Sequence, residues 1–374
     1  MSILFTPMKI KNMELRNRFV RSATCDGWAD TNGHVTDRQV RLFTELAQGG
    51  VGLIVVGITY VHHSGQVIAS QNSIASDDCI AGFKRLTAVV QDCGAKIALQ
   101  LYHAGRNGGE FLTRKNELAM APSFIENDPY FLKKYRSMNE YDIWEIINSF
   151  GDGAKRAREA GFDAVQIHAA HGWLPSQFLS PYTNRRTDGW GGPLTNRLRF
   201  HQEIYRNMRA KVGDDYPLLI KIGVQDGFPG GLEFREGKIA AQLCAEWGFD
   251  ALEISLGVRG DGYEAAEFRT KIDSLDQEGY FRDWCKEVKS QASVPVMMVG
   301  GLRTFELMEE VIQKREADFI SLSRPLINNP HIVNEWVSGS RRRAGCISCN
   351  KCLEALIEGE GLSCKLPQNK AKES

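Results

Sequence analysis

Apolar residues recur along this chain in short runs, each introduced by the same polar punctuation. A helical stretch ends in a small residue, Asp or Gly follows, and the apolar run begins. "AGFDAVQIH" (160–168), "WGFDALEIS" (247–255) and "READFISLS" (315–323) share this form. "GGVGLIVVG" (49–57) and "CGAKIALQL" (93–101) follow it more loosely, while "YPLLIKIG" (216–223) and "VPVMMVGG" (294–301) begin near proline. "RFVRSA" (18–23) brings the strand candidates to eight. Runs apolar on both faces predict parallel strands covered by helices.

Helix-period segments separate the runs: 37–50, 77–94, 142–161, 195–213, 234–248, 281–292, 304–316 and 329–339. Eight strands alternating with eight helices predict an α/β protein, a (β/α)8 TIM barrel over residues 1–340. A doubly wound open sheet is the competing architecture. It is disfavoured because the first strand leads into "TCDGWAD" rather than G-x-G-x-x-G. The polar stretch 104–140, broken by Pro and Gly, reads as an insertion after strand three, over the barrel mouth. Long insertions there are usually substrate lids. Residues 341–374 form a short Cys-rich C-terminal extension that ends in a polar, frayed tail.

Composition narrows the class. Of the 374 residues, 43% are hydrophobic and 25% charged, and 46 acidic side chains balance 46 basic ones. That is a soluble globular composition with no bias toward nucleic acid or membrane. No leader segment is visible at the N-terminus, which favours the cytoplasm. Four of the nine cysteines, Cys346, Cys349, Cys352 and Cys364, crowd the C-terminus. Clustered cysteines in a cytosolic chain predict metal or redox chemistry rather than disulfides.

Barrel chemistry collects at the C-terminal ends of strands. Those ends carry Cys25, Tyr60, Gln100, Tyr102, His168, His171, Lys221, Gly300, Gly301, Ser323 and Arg324. They hold hydrogen-bond donors and a strong cation but no facing pair of acids, which disfavours glycosidase chemistry. HExxH is absent, and two imidazoles alone make a poor zinc site. The pair Gly300–Gly301 lets backbone N–H groups approach an anion, and Arg324 follows at the next strand end. Loops after strands seven and eight form the usual phosphate pocket of barrels, which predicts a phosphorylated ligand.

"SQFLSPYTNRRTDGWGGPLTNRLRF" (176–200), "LFTPMKIKNMELRNRFVRSAT" (4–24), "LQLYHAGR" (99–106) and "HAAHG" (168–172) together resemble the old yellow enzyme family of FMN-dependent oxidoreductases. The resemblance runs from about residue 4 to 340. It implies FMN at the barrel mouth, reduced by NADH or NADPH, and a small-molecule substrate bearing a carbonyl or another electron-withdrawing group. It also implies a homo-oligomer. By the same resemblance, Ser22, Ala23, Thr24 and Cys25 would lie along the flavin, with Ile58 and Gln100 against the isoalloxazine. Lys221 would stand near flavin N1 and O2 and stabilise the anion formed on reduction. Gly301, Ser323 and Arg324 would hold the phosphate. His168 and His171 match the pair that hydrogen-bonds a substrate oxygen, which is where hydride delivery to an enone places negative charge.

Trp173 departs from the pattern, since the family usually has there the Tyr that protonates the substrate. Indole cannot serve as an acid near neutral pH. Tyr60, Tyr102 and solvent are the replacement proton sources by strand position. Trp173 with Tyr60 could instead hold a cation by their π faces, as in amine-oxidising relatives. The spacing C-x2-C-x2-C-x11-C resembles the [4Fe–4S] ligand run of the trimethylamine dehydrogenase and 2,4-dienoyl-CoA reductase branch. Four thiolates also suit zinc. Relatives with the cluster continue into a dinucleotide-binding domain that exchanges electrons. Three functions follow as expectations: an FMN-dependent NAD(P)H oxidoreductase reducing an activated C=C bond, an FMN and Fe–S amine dehydrogenase or demethylase-like enzyme, and a non-catalytic flavin- or metal-binding protein.

Overall fold

The structure, a computed structural model, describes residues 2–366 apart from 109–110, 113–115, 129–130, 132–133 and 263–264. The chain opens with a hairpin of β1 (Met8–Ile10) and β2 (Met13–Leu15). The barrel strands are β3 (Phe19–Thr24), β4 (Leu53–Tyr60), β5 (Lys96–Tyr102), β8 (Ala164–Ala169), β9 (Leu218–Gly223), β10 (Ala251–Ser255), β11 (Val296–Met298) and β12 (Phe319–Leu322). Strands β6 (Ala119–Ala121) and β7 (Tyr135–Ser137) pair with each other outside the barrel. The eight barrel strands are all parallel and close on themselves. They are the eight apolar runs, in order, so the expected (β/α)8 architecture is what the chain adopts.

The recurring aspartate before a strand has a definite job. Asp163, Asp250 and Asp318 each donate their own N–H to the neighbouring strand, to Ile97, Leu218 and Val296. Their carboxylates then accept the N–H of those same residues at 3.0, 2.9 and 2.8 Å. This reciprocal pair pins the register of each strand as it enters the barrel, where a one-residue slip would turn every side chain to the wrong face.

Eight helices fall within the expected segments, from α1 (Asp37–Gln48) and α2 (Ile80–Asp92) to α3 (Glu140–Glu159). A capping box between Thr36 and Gln39 starts α1. The short helix α4 (Leu174–Leu179) follows β8, and α5 (Leu194–Val212), α6 (Phe234–Trp247), α7 (Arg282–Lys289) and α8 (Phe305–Gln313) continue the ring. Three more follow: α9 (Arg324–Asn328), α10 (Ile332–Val337) and, in the extension, α11 (Lys351–Ile357). One apolar layer lies between helices and strands; another, inside the barrel, joins Ile10, Met13 and Leu15 of the hairpin to Val20, Val55 and Met297. The hairpin therefore plugs one end and leaves the C-terminal mouth for chemistry.

The insertion after β5 departs from expectation. Among its described residues none borders the mouth cavity. It packs sideways on the segment after α4. Arg106 pairs with Asp128 at 2.5 Å, Tyr182 donates to Asp128 at 2.8 Å, and Arg186 donates to the carbonyls of Pro122 and Met138. The signature stretch 176–200 is thus scaffold that ties insertion to barrel. The tail from residue 367 lies outside the described residues.

Candidate active site

The ends of β3, β5, β8, β9 and β10 build a hydrogen-bonded floor. Gln100 Nε2 donates to Gln166 Oε1 at 2.8 Å, and Gln166 Nε2 donates to Glu253 Oε2 at 3.0 Å. Ser22 Oγ donates to Glu253 Oε1 at 2.7 Å, and Lys221 Nζ donates to Ser22 Oγ at 3.0 Å. Lys221 Nζ lies 3.5 Å from the Glu253 carboxylate. The Gln100 amide nitrogen is therefore committed downward, and its oxygen remains for the cavity it borders. Glu253 was missed in the sequence. It lies two residues before the strand end, in "DALEIS", and a glutamate inside an apolar strand is the signal that could have found it. Cys25 stands beside this floor, and burial followed by the neighbouring Asp26 pushes its thiol up to about 12. It is a neutral thiol, not a nucleophile.

The turn after β8 places the histidines. His171 (φ 61) and Gly172 (φ 76) are both left-handed, which folds the chain back over the mouth. The His171 N–H donates to the Leu256 carbonyl, and the Leu174 N–H to the His103 carbonyl, so the turn is held from both sides. His168 and His171 meet edge to face at 4.7 Å between ring centres. Their surroundings differ. His171 Nε2 is 2.7 Å from Ser255 Oγ, and its Nδ1 is 3.6 Å from Glu267. His168 Nδ1 is buried and has no partner in the chain. Burial above all, aided by Lys221 and Arg259, holds both imidazoles well below 6.5, so both are neutral.

Trp173 lines the same cavity, but Tyr60 and Tyr102 do not. They pack behind the indole; Tyr102 meets it edge-on at 4.8 Å and is fully buried. Burial raises both phenols above 10. Neither phenol reaches the cavity in which a substitute acid was expected, and Tyr60 does not share the cavity wall with Trp173. The cation beside Trp173 is the protein's own Arg259, 5.8 Å from the ring centre and ion-paired with Glu267. Both come from the loop after β10, which no sequence signal marked as part of the site.

Opposite, Gly300 (φ 124) and Gly301 (φ 73) carry the chain under Ser323 and Arg324. A Cβ on Gly301 would stand 2.8 Å from the Tyr280 ring, so only glycine passes there. Thr24 and Ser323 hydroxyls are 2.8 Å apart, and Arg21 donates to the Ser323 carbonyl at 2.9 Å. Arg303, also absent from the sequence reading, joins Arg324 at this end.

The C-terminal extension closes that side, with Cys352, Leu353 and Leu356 on the cavity wall. The Ser348 N–H donates to Cys346 Sγ at 3.5 Å, and Asn328 Nδ2 to Cys364 Sγ at 3.4 Å. Among the described residues, one trio, His34, Asp78 and Cys79, brings three metal-ligating atoms within 4.8 Å of one another. The four clustered sulfurs are spread more widely than that.

The expected flavin and substrate residues from Ser22 to Arg324, Tyr60 and Tyr102 excepted, border one cavity of about 590 Å³, within the range of small-ligand sites; of the four clustered cysteines Cys352 alone borders it. Three buried polar atoms of its lining residues, His168 Nδ1, Ser321 Oγ and Arg303 Nε, lack partners in the chain. Unpaired buried polar atoms are costly, and these three border a cavity in which a ligand would pair them.

Comparison with known proteins agrees with this geometry. Residues 3–341 match the model of the NADH:flavin oxidoreductase / NADH oxidase family. The chain is 35% identical over 379 residues to a metal reductase of Desulforamulus reducens, covering 100% of this chain and 55% of that protein. It is 35% identical over 337 residues to an NADPH dehydrogenase of Geobacillus sp., covering 88% and 92%. It superposes on 2-naphthoyl-CoA reductase in complex with 2-naphthoyl-CoA with TM-score 0.89 and 26% identity, over 97% of this chain and 56% of that one. Against histamine dehydrogenase from Rhizobium sp. 4-9 the TM-score is 0.83 at 27% identity, over 97% and 52%. The chain spans about half the length of the curated relatives it matches most strongly.

Proposed function

The chain belongs to the NADH:flavin oxidoreductase / NADH oxidase family, and on that premise we propose that it is an FMN-dependent NAD(P)H oxidoreductase that reduces an activated C=C bond. The observation that carries this reading is the pairing of an unpartnered neutral imidazole, His168, with an arginine already seated beside the aromatic wall at Trp173. A neutral donor and a nearby cation suit an oxygen that gains negative charge during reaction.

The residues present fit FMN. Arg324, Arg303 and the glycine pair suit a phosphate, and the Gln100 oxygen and Lys221 ammonium suit the polar edge of a flavin ring. Bound FMN would take hydride from NAD(P)H and supply it to the substrate β-carbon. Lys221 supplies positive charge beneath the ring, tempered by Glu253. His168 binds the substrate oxygen and stabilises charge there, while Ser255 and Glu267 hold His171 in place. With Trp173 unable to donate a proton and both tyrosines turned away, solvent at the mouth protonates the α-carbon.

Four thiolates at this spacing suit a [4Fe–4S] cluster. Two sulfurs accept N–H hydrogen bonds, which stabilise thiolates. A cluster would carry single electrons. This same set, with the likeness to histamine dehydrogenase, supports a second reading as an FMN and Fe–S amine dehydrogenase.

Anaerobic stopped-flow spectroscopy tests the choice. Flavin reduced by NADH or NADPH and reoxidised by enones or enoates is the expected result. Flavin reduced by amines but by neither nicotinamide would replace the first reading with the second. A protein that takes up no flavin would leave only a non-catalytic role.

A further inference from the structure

Two residues between the clustered cysteines reach into the phosphate end of the cavity. Ser348 lies between Cys346 and Cys349, and Asn350 between Cys349 and Cys352. Both are left-handed, with φ 54 and 57, and both are buried, at 1% and 2% exposure. That conformation costs a non-glycine residue on the order of 1 to 2 kcal/mol.

Their side chains are fully committed. Asn350 Oδ1 accepts from Arg324 Nη1 at 2.8 Å, and its Nδ2 donates to the Phe268 carbonyl at 2.8 Å. Arg324 Nη1 also donates to the Arg269 carbonyl at 2.8 Å. Ser348 Oγ accepts from Arg303 Nη2, whose Nη1 donates to the Gly301 carbonyl at 3.0 Å. The Ala344 N–H donates to the Arg303 carbonyl at 3.0 Å. Each guanidinium at the phosphate end thus hangs from a residue of the cysteine turn. Relaxing the turn withdraws both acceptors and frees two long side chains, which lowers affinity for an anion such as phosphate that the guanidinium forks would grip.

We propose that the C-x2-C-x2-C turn belongs to both cofactor sites, with Ser348 and Asn350 as positioning residues that hold Arg303 and Arg324 for the flavin phosphate. Occupancy of the cysteines then tightens FMN, and FMN tightens whatever the cysteines hold, by the same factor. The inference rests on the FMN reading above.

Flavin-stripped protein that retains its iron is titrated with FMN and, separately, with riboflavin, following flavin fluorescence. Riboflavin has the ring without the phosphate. Asn350→Ala is expected to weaken FMN roughly tenfold, within the usual range of site coupling, and to leave riboflavin unchanged. In the unaltered protein, saturating FMN, but not riboflavin, slows extraction of iron by bathophenanthroline; this arm does not depend on a variant folding. FMN affinity untouched by Asn350→Ala, or FMN and riboflavin falling together, overturns the coupling. Failure of the unaltered protein to bind either flavin overturns the FMN reading itself.

Discussion

Lys221 Nζ stands 3.5 Å from the carboxylate of Glu253, and Ser22 Oγ touches both. The cation beneath the proposed flavin is therefore partly neutralised from below. Lys221→Met should make a reduced, anionic flavin less favourable and lower the midpoint potential by tens of millivolts, about 30 mV for each 1.4 kcal/mol of a two-electron couple. Glu253→Gln should move it the other way. Dye-equilibrated reduction titrations measure both, and shifts of the same sign would remove Lys221 from this role.

The two histidines should not respond equally to mutation. His168 has the unpartnered nitrogen, whereas His171 faces Ser255 and Glu267. His168→Ala should weaken binding of a phenol that stacks on the flavin by roughly tenfold or more, in the range of one lost hydrogen bond to a charged group. His171→Ala should cost less. Charge-transfer absorbance reads the affinity, and equal losses would mean that His171 also leaves its partners to bind the ligand. Both imidazoles are neutral, their acidities held well below 6.5, so no protonation limb from them should cross a pH 6 to 8 profile.

Trp173→Tyr places a phenol at the indole's position on the cavity wall. If solvent protonation limits turnover, enone reduction should rise several-fold, up to the order of 10²-fold that a positioned acid contributes. A solvent isotope effect that shrinks in the variant would identify the step. An unchanged rate would show that protonation is not limiting.

His201 in α5 is fully buried, and neither ring nitrogen has a partner. Burial lowers its pKa to about 3. The folded state keeps it neutral while the unfolded chain binds a proton below about 6.5, so stability falls as pH drops from 6.5 toward 3. His201→Phe should remove about 2 kcal/mol of the stability lost between pH 6.5 and 5. Denaturant midpoints at the two pH values decide it, and parallel losses in both proteins would contradict the burial argument.

The barrel itself was legible from the chain. Its strands carry continuous apolar runs because both faces are covered, and the aspartate before each of three runs is the residue that pins register. The strand-end residues from Ser22 to Arg324 were equally readable, since parallel strands bring their ends to one mouth and a linear list becomes a ring. What the chain could not announce was how side chains from distant loops turn. Arg259 and Glu267 lie in a loop without periodicity, yet they fill the space beside Trp173 and His171. Tyr60 and Tyr102 sit at strand ends as expected, but one step beyond the cavity-lining Ile58 and Gln100, where they pack behind Trp173. Glu253, Arg303 and Asn350 take their meaning only from partners 26 or more residues away. Periodicity is a local property and survives in one dimension. Pairing of a buried charge with its counter-group is set by packing, and only the folded barrel brings the two together.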